Sequence, residues 1–348
     1  MNASAHRRPI FIIVEGSRVK GMGHLVRMRL LAARLSGCGE TLYCFTESAA
    51  SRNFLDDPNW RTQQWPVGER ETWLAWQIRS LRPTLLIIDR LDLTIRELEK
   101  LQASESFATV LFEVKEPELI RRADLVVNGI YGAAGPQPSP AANILRGTAY
   151  LILDQGLVAA RRAYRFRLRC RKLLVSLGGS DPNELIFPVM RALRGLQQLV
   201  CLPPVMVILG TAFNQPERVR EQAKQIGGIS VMTAVPSLAP HFADADLAVV
   251  SGGMTLFEAC CVGVPCLVLP QVDHQEQTGA ALTHTGSCMM LPLLEAARPE
   301  RIAGALRLLL ENNHRRLQIH QAARQVTDGS GLDRVTACIR HVLDHSGR

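Results

Sequence analysis

A chain of 348 residues is about twice the size at which one hydrophobic core is usually complete, so two domains of roughly 150 to 170 residues are expected. Hydrophobic residues at 47% and charged residues at 21%, with no low-complexity tract, exclude extensive disorder, and the longest early apolar run, Ile10 to Val14, stops at Glu15, too short for a membrane span or a signal-peptide core. The net charge of +8 asks for anionic partners without choosing between nucleic acid, a membrane surface and a phosphorylated small molecule.

In the first half, short apolar runs at Ile10 to Val14, Thr41 to Phe45, Leu85 to Asp89, Thr109 to Phe112 and Leu125 to Asn128 read as strands with helices between them. Gly132 to Pro140, with Gly135, Pro136, Pro138 and Pro140, reads as irregular surface chain. From Arg161 to Lys172 arginines alternate with apolar residues, which reads as a domain link with one solvated face; its competing use is pairing with phosphates. The second half restarts the pattern at Leu173 to Leu177, Val205 to Leu209, Ile229 to Met232, Leu247 to Val250 and Cys266 to Leu269. Helical stretches follow at Pro299 to Glu311, Asn313 to Thr327 and Leu332 to Leu343. This alternation predicts an α/β protein of two doubly wound parallel sheets. The boundaries expected are 1–160 for an N-terminal domain, 161–171 for the basic link, 172–328 for a C-terminal domain and 329–348 for a closing helix.

Nine cysteines without a C-x-x-C pair, two of them adjacent at Cys260 and Cys261, suit neither a zinc knuckle nor a disulfide framework. Reduced thiols and a cytoplasmic location are the expectation, with no metal and no cofactor. Aromatic residues at 5% leave few platforms for stacking single strands, and no helix-turn-helix stands out, so no nucleic acid partner and no stable membrane insertion are expected. Oligomeric state has no signature in the sequence.

Glycine-bearing turns follow three of the strands. The first, Glu15 to His24, includes Gly21 and Gly23 and runs into helical spacing at Leu25, Met28, Leu31 and Leu35. Turns of this kind sit at the carboxyl ends of parallel strands, where ligands bind. His24, at a helix start, is the candidate general base, because an imidazole can be neutral at rest and still accept a proton from water or an alcohol; the competing reading is a plain helix cap. The second turn, Ser176 to Pro182, offers Gly179 and the Ser180 hydroxyl to a phosphate, with Asp181 and Pro182 as helix-start residues. In the third, Ser251-Gly252-Gly253-Met254-Thr255 can cradle a diphosphate at a helix N-terminus, and Glu258, one turn further on, can accept both ribose hydroxyls. A tight turn without ligand and a solvent-facing glutamate are the competing readings. After the next strand, His274 and Gln275 stand in a polar loop whose amides can grip sugar hydroxyls; His274 reads as a neutral binding or surface residue before a second acid or base.

Together these residues resemble the nucleotide-sugar hydrolases of pseudaminic acid biosynthesis and the related spore-coat polysaccharide proteins. Glu15-Gly16-Ser17 through Gly23-His24-Leu25-Val26-Arg27, Val175 to Pro182, Ala245-Asp246-Leu247, Ser251 to Glu258, Gly263-Val264-Pro265 and Gly329 to Val335 follow that family's segments in order and spacing. His274-Gln275 departs from the family's Asn-Gln and is closer to the His-Gln of the peptidoglycan N-acetylglucosaminyltransferase. The resemblance implies a GT-B fold of two Rossmann-like domains facing across a cleft. It further implies inverting, metal-independent hydrolysis of a UDP-linked diacetamido-trideoxy sugar, with His24 activating water, Ser17 and Arg27 on the substrate side, Glu258 on the ribose, and Gly252, Gly253 and Thr255 on the diphosphate. Transfer to an alcohol acceptor, a hydrolysing 2-epimerase, and a non-enzymatic anion or nucleic-acid binder built on the Arg161–Lys172 stretch are the alternatives.

Overall fold

The computed structural model describes residues 9–16, 21–36, 41–103, 106–130 and 143–345, which leaves Ser17 and the Gly132 to Pro140 segment outside the description. The described residues fall into two compact units. Those within Met1–Lys20, His24–Ile152 and Gly331–Arg348 form the first, and those within Gly21–Gly23 and Leu153–Ser330 form the second.

In the first unit the chain runs β1 (Ile10–Val14), α1 (Gly23–Ser36), β2 (Leu42–Thr46), α2 (Ala49–Leu55), β3 (Arg61–Gln64), α3 (Arg70–Leu81), β4 (Leu85–Asp89), α4 (Ile95–Gln102), β5 (Ala108–Phe112), α5 (Pro117–Arg122), β6 (Leu125–Asn128) and β7 (Ile144–Arg146). The sheet is parallel with order β3-β2-β1-β4-β5-β6-β7. Every residue of β1, β2, β4, β5 and β6 is buried, which is why these strands read as near-continuous apolar runs and not as alternation. Phe11 meets Phe45 edge-on at 4.8 Å, and Phe45 meets Trp73 of α3 at 5.5 Å, so α3 is held on the sheet by aromatic packing. The edge strands β3 and β7 correspond to no apolar run; β3 has the sequence Arg-Thr-Gln-Gln and is the partly exposed rim of the sheet.

The second unit runs α6 (Gly156–Ala163), β8 (Leu173–Ser176), α7 (Ile186–Leu196), β9 (Val205–Leu209), α8 (Pro216–Ile226), β10 (Ile229–Thr233), α9 (Ala239–Asp244), β11 (Leu247–Val250), α10 (Met254–Val262), β12 (Cys266–Val268), α11 (Asp273–His284), β13 (Met289–Met290), α12 (Pro299–Glu311) and α13 (Asn313–Ala323). Its parallel sheet has the order β10-β9-β8-β11-β12-β13. The last helix, α14 (Gly331–His345), groups with the first unit, where Arg334 donates to the Ala149 carbonyl at 3.0 Å and Arg34 pairs with Asp333. Gly331 begins this helix because a Cβ there would lie 2.1 Å from the Leu151 carbonyl oxygen. No helix among the described residues is long and apolar enough to cross a membrane.

Each sheet has one place where its winding reverses. The first winds outward from β1 through β2 to β3 and, the other way, from β4 through β5; the second does the same from β8 and from β11. Loops leaving the two strands at such a point diverge to opposite sides and open a crevice beyond the carboxyl ends. In the first unit that point is flanked by Val14 and Asp89, and in the second by Ser176 and Val250.

Candidate active site

His24 is in the first turn of α1, and Asp89 is the last residue of β4, so the β1/β4 reversal brings them together. His24 Nδ1 lies 2.8 Å from Asp89 Oδ1, with the imidazole side chain 17% exposed and the carboxylate fully buried. Burial alone would raise the Asp89 carboxyl, but the Arg27 guanidinium and then His24 outweigh it and hold the group well below the usual carboxylate range. A charged carboxylate at this distance selects the tautomer with the proton on Nδ1. Nε2 then carries the lone pair and is the ring's free basic atom.

Arg27 Nη2 is 3.0 Å from the same ring nitrogen, but as a donor without lone pairs it cannot bond a protonated Nδ1; its shorter contact, 2.5 Å, is to Asp89 Oδ1, and its Nε donates to Asp89 Oδ2 at 2.6 Å. Its Nη1 lies 3.4 Å from Glu113 Oε1, which also accepts the Ile130 amide at 2.9 Å. Glu113 has φ +52°, a left-handed turn at the end of β5 that aims its carboxylate inward. Arg27 is 3% exposed, so the residue expected on the substrate side instead clamps Asp89 from within. Beside this group, Arg90, just past β4, is fully buried between Glu15 at 3.0 Å and Glu97 at 2.6 Å, and Arg70 bridges Glu15, Asp92 and Glu97.

In the second unit, Gly178 has φ +85°, and a Cβ on it would meet the Ser251 hydroxyl at 3.1 Å, so the turns after β8 and β11 touch. Ser180 is buried. Asp181, expected at a helix start, sits five residues before α7 begins and caps it at a distance, accepting the amides of Leu185 and Ile186 at 2.9 Å each. Burial pushes its carboxyl up to about 6 against the pull of those amides. Gly21 and Gly23 group with this unit, where the Cβ position of Gly23 lies 3.1 Å from the Met254 side chain.

Gly252, Gly253 and Thr255 open α10, and no side chain caps that end. A Cβ on Gly252 would lie 2.6 Å from the Gln275 carbonyl oxygen, and Gln275 Nε2 is 3.6 Å from the Cβ position of Gly253, so Gln275 forms one wall of the turn. His274 is exposed at the start of α11. Gln271, in the polar loop whose amides the sequence offers to sugar hydroxyls, is buried and instead ties the loops together: it donates to the Leu177 carbonyl at 3.0 Å, receives the Asn183 amide at 3.3 Å, and its own amide donates to Gln275 Oε1 at 3.1 Å.

The two ends of α10 are treated oppositely. At the carboxyl end Arg161 donates to the Cys261 carbonyl at 2.7 Å, Arg324 to that of Val262 at 3.3 Å, and His320 Nδ1 to that of Gly263 at 2.6 Å. The negative end of the helix dipole meets two guanidinium cations and an imidazole N–H, while the positive end carries no side-chain cap among the described residues. Glu258, one turn into the same helix, is half-buried and receives no hydrogen bond from any described residue. Burial, with a smaller contribution from the Asp154 charge, pushes its carboxyl up to about 7. The first unit thus holds an imidazole oriented by a buried carboxylate, and the second a glycine-lined helix start one turn from a carboxylate that no described residue hydrogen-bonds. Among the described residues no group of three or more His, Cys, Asp or Glu could hold a metal ion.

Comparison with known proteins agrees with this architecture. Residues 173–334 match the Glycosyltransferase family 28 C-terminal domain. Over 336 residues the chain is 34% identical to the spore coat polysaccharide biosynthesis protein SpsG of Bacillus subtilis (strain 168), covering 96% of this chain and 98% of that one. Among solved structures it is similar to Acinetobacter baumannii MurG, with a TM-score of 0.69 at 16% identity over 96% of this chain and 100% of that one. It is also similar to the spinosyn rhamnosyltransferase SpnG complexed with thymidine diphosphate, with a TM-score of 0.65 at 16% identity over 96% and 99% of the two chains. At such identities the structural likeness speaks for the fold alone, the GT-B type with two Rossmann-like domains. The identity to SpsG over nearly the whole of both chains goes further, and the chain belongs to the spore coat polysaccharide biosynthesis protein SpsG family.

Proposed function

We propose that the protein is a nucleotide-sugar-dependent glycosyltransferase of polysaccharide biosynthesis, taking a UDP-sugar as donor and an alcohol as acceptor. The observation that carries this reading is α10: among the described residues its glycine-lined amino end has no side-chain cap, its carboxyl end is held by the Arg161 and Arg324 guanidiniums and the His320 imidazole, and Glu258 one turn along has no hydrogen-bond partner. A nucleoside diphosphate supplies what this arrangement lacks, an anion for the free amides and two ribose hydroxyls for the carboxylate. The nucleotide complex of a structural neighbour and the transferase names among the similar proteins support the same assignment.

In this reading His24 Nε2 takes the proton of the acceptor hydroxyl while the hydroxyl oxygen attacks the anomeric carbon, and the C1–O bond to the diphosphate breaks with its electron pair staying on the diphosphate. The amides of Gly253 to Thr255 and the Ser251, Thr255 and Ser180 hydroxyls stabilise the charge that develops there. Asp89 stabilises the imidazolium that forms, and Arg27 with Glu113 keeps Asp89 in place. Gly21, Gly23 and Gly179 let the backbone come close to the donor, and Gln275 and His274 meet the sugar. The domain nearest the amino terminus supplies the base and the acceptor side, and the one after the Arg161 stretch holds the nucleotide.

Hydrolysis, which the sequence resemblance implies, uses the same groups with water as acceptor. The assay that separates them supplies purified protein with UDP-sugars, first without and then with alcohol acceptors. Transfer predicts UDP release that requires the acceptor and consumes it; equal release of UDP and free sugar without acceptor overturns transfer in favour of hydrolysis. His24→Ala abolishes turnover in either case and keeps UDP affinity.

A further inference from the structure

The segment Arg161–Lys172 places seven cationic side chains in twelve positions, and only part of that charge is used by the fold. Arg161 is spent on the carbonyls behind α10. Arg167 pairs with Asp246 at 2.9 Å and Lys172 with Asp244 at 2.5 Å. Among the described residues Arg165 bonds only backbone carbonyls, of Arg162 and Tyr164, and meets no carboxylate. Arg162, Arg169 and Arg171 are exposed and meet no carboxylate among the described residues. Beneath them the buried guanidinium of Arg316 donates to the Leu168 carbonyl at 2.5 Å and to two helix carbonyls, a further cation that meets no carboxylate among the described residues.

The apolar residues of the segment are divided just as sharply. Tyr164 is buried, Phe166 lies against His320 at 5.5 Å, and Cys170 packs on the core. Of the large apolar side chains Leu168 alone is turned out, 67% exposed, although its carbonyl is fixed by Arg316 and the chain just beyond is fixed by the Arg171 and Lys172 amides on Asp246. Leu168, pinned outside the core with Arg165 and Arg169 on either side in the segment, buries little apolar surface in the fold. We propose that this segment is a docking surface for an anionic phospholipid bilayer, with Arg162, Arg165, Arg169 and Arg171 on headgroup phosphates and Leu168 entering the acyl boundary. A single-stranded nucleic acid fits less well, because the aromatic rings that would stack on bases are already buried or paired while the exposed tip is aliphatic. The binding is peripheral and reversible and does not depend on the proposed catalytic reading.

The test uses the full chain and vesicles of phosphatidylcholine alone or with roughly a third phosphatidylglycerol, read by co-sedimentation at low and high salt. The wild type is expected on the anionic vesicles only, and to leave them at high salt. Replacing three charges in Arg165→Gln, Arg169→Gln and Arg171→Gln together lowers partitioning by roughly a hundredfold, at about fivefold per charge, and Leu168→Asp lowers it by about tenfold. Both variants keep the wild-type melting temperature, since none of these side chains is buried. Failure of the wild type to prefer anionic vesicles overturns the proposal, as does wild-type partitioning by either variant. Binding of single-stranded RNA that the triple variant loses, with vesicles left unbound, overturns it in favour of nucleic acid.

Discussion

Glu258 gives the nucleotide site a pH dependence that can be worked out in advance. Its carboxyl is pushed up to about 7 by burial and by Asp154, so about a tenth of it is ionised at pH 6 and about nine-tenths at pH 8. Only the carboxylate can accept both ribose hydroxyls. If the ionised form alone binds, affinity for a UDP-sugar tightens by about tenfold across that interval. A UDP-sugar is the right ligand, because its pyrophosphate diester does not titrate there whereas the terminal phosphate of UDP does. In Glu258→Gln the carboxamide cannot ionise, so affinity is weaker and flat with pH. The ligand-free protein reports the same group with opposite sign. A carboxyl raised in the folded state favours folding below its unfolded value of 4.5 and loses that contribution as pH rises through about 7, a change on the order of 2 kcal/mol after allowance for partial solvent access. Isothermal titration and thermal melts over this range read both. A pH-independent affinity in the wild type, or a Gln variant that keeps the wild-type slope, refutes the assignment of Glu258 to the ribose.

Three further outcomes follow from the geometry. Asp89→Asn removes the charge that fixes His24 on its Nδ1–H tautomer, so kcat falls by about a hundredfold to ten-thousandfold while nucleotide affinity, measured by titration, is retained; Arg27 is left without its main counter-ion, so the melting temperature falls as well. Gly252→Ala drives a methyl group to 2.6 Å from the Gln275 carbonyl, and fluorescence titration shows UDP-sugar affinity reduced by at least tenfold, about 1.4 kcal/mol, with the fold intact by circular dichroism. Phe11→Ala empties the middle of the aromatic cluster of the first sheet and lowers unfolding free energy in urea by about 3 to 5 kcal/mol.

The architecture was legible in the sequence because parallel strands buried on both faces leave continuous apolar runs. Ile10–Val14, Leu85–Asp89, Leu125–Asn128, Val205–Leu209 and Leu247–Val250 are strands with the bounds the runs predict. The strands without such a signal are the edges: β3 is polar because one side has no neighbour, and β7 and β13 are too short to show a period. Turns rich in glycine announced the loops at both reversal points. At the second reversal both turns carry glycines, whereas at the first the partner across it left no comparable mark. Asp89 looks like the polar stop of an apolar strand, and only the pairing of Val14 with Asp89 in neighbouring strands reveals that it ends beside the β1 turn. Arg27 illustrates the converse: a motif position read as substrate-facing is buried, because helical spacing from His24 turns its guanidinium onto the Asp89 carboxylate. The Arg161 stretch was legible as charge but not as structure, since nothing in the spacing of its arginines shows that Arg161 caps α10 while Arg169 and Arg171 stay free of carboxylates.

The measurement that bears most directly on the assignment is a crystal structure of the protein with UDP. A phosphate oxygen is expected about 3 Å from the amides of Met254 and Thr255, with both ribose hydroxyls on the Glu258 carboxylate. UDP bound elsewhere, with the amino end of α10 empty, contradicts it.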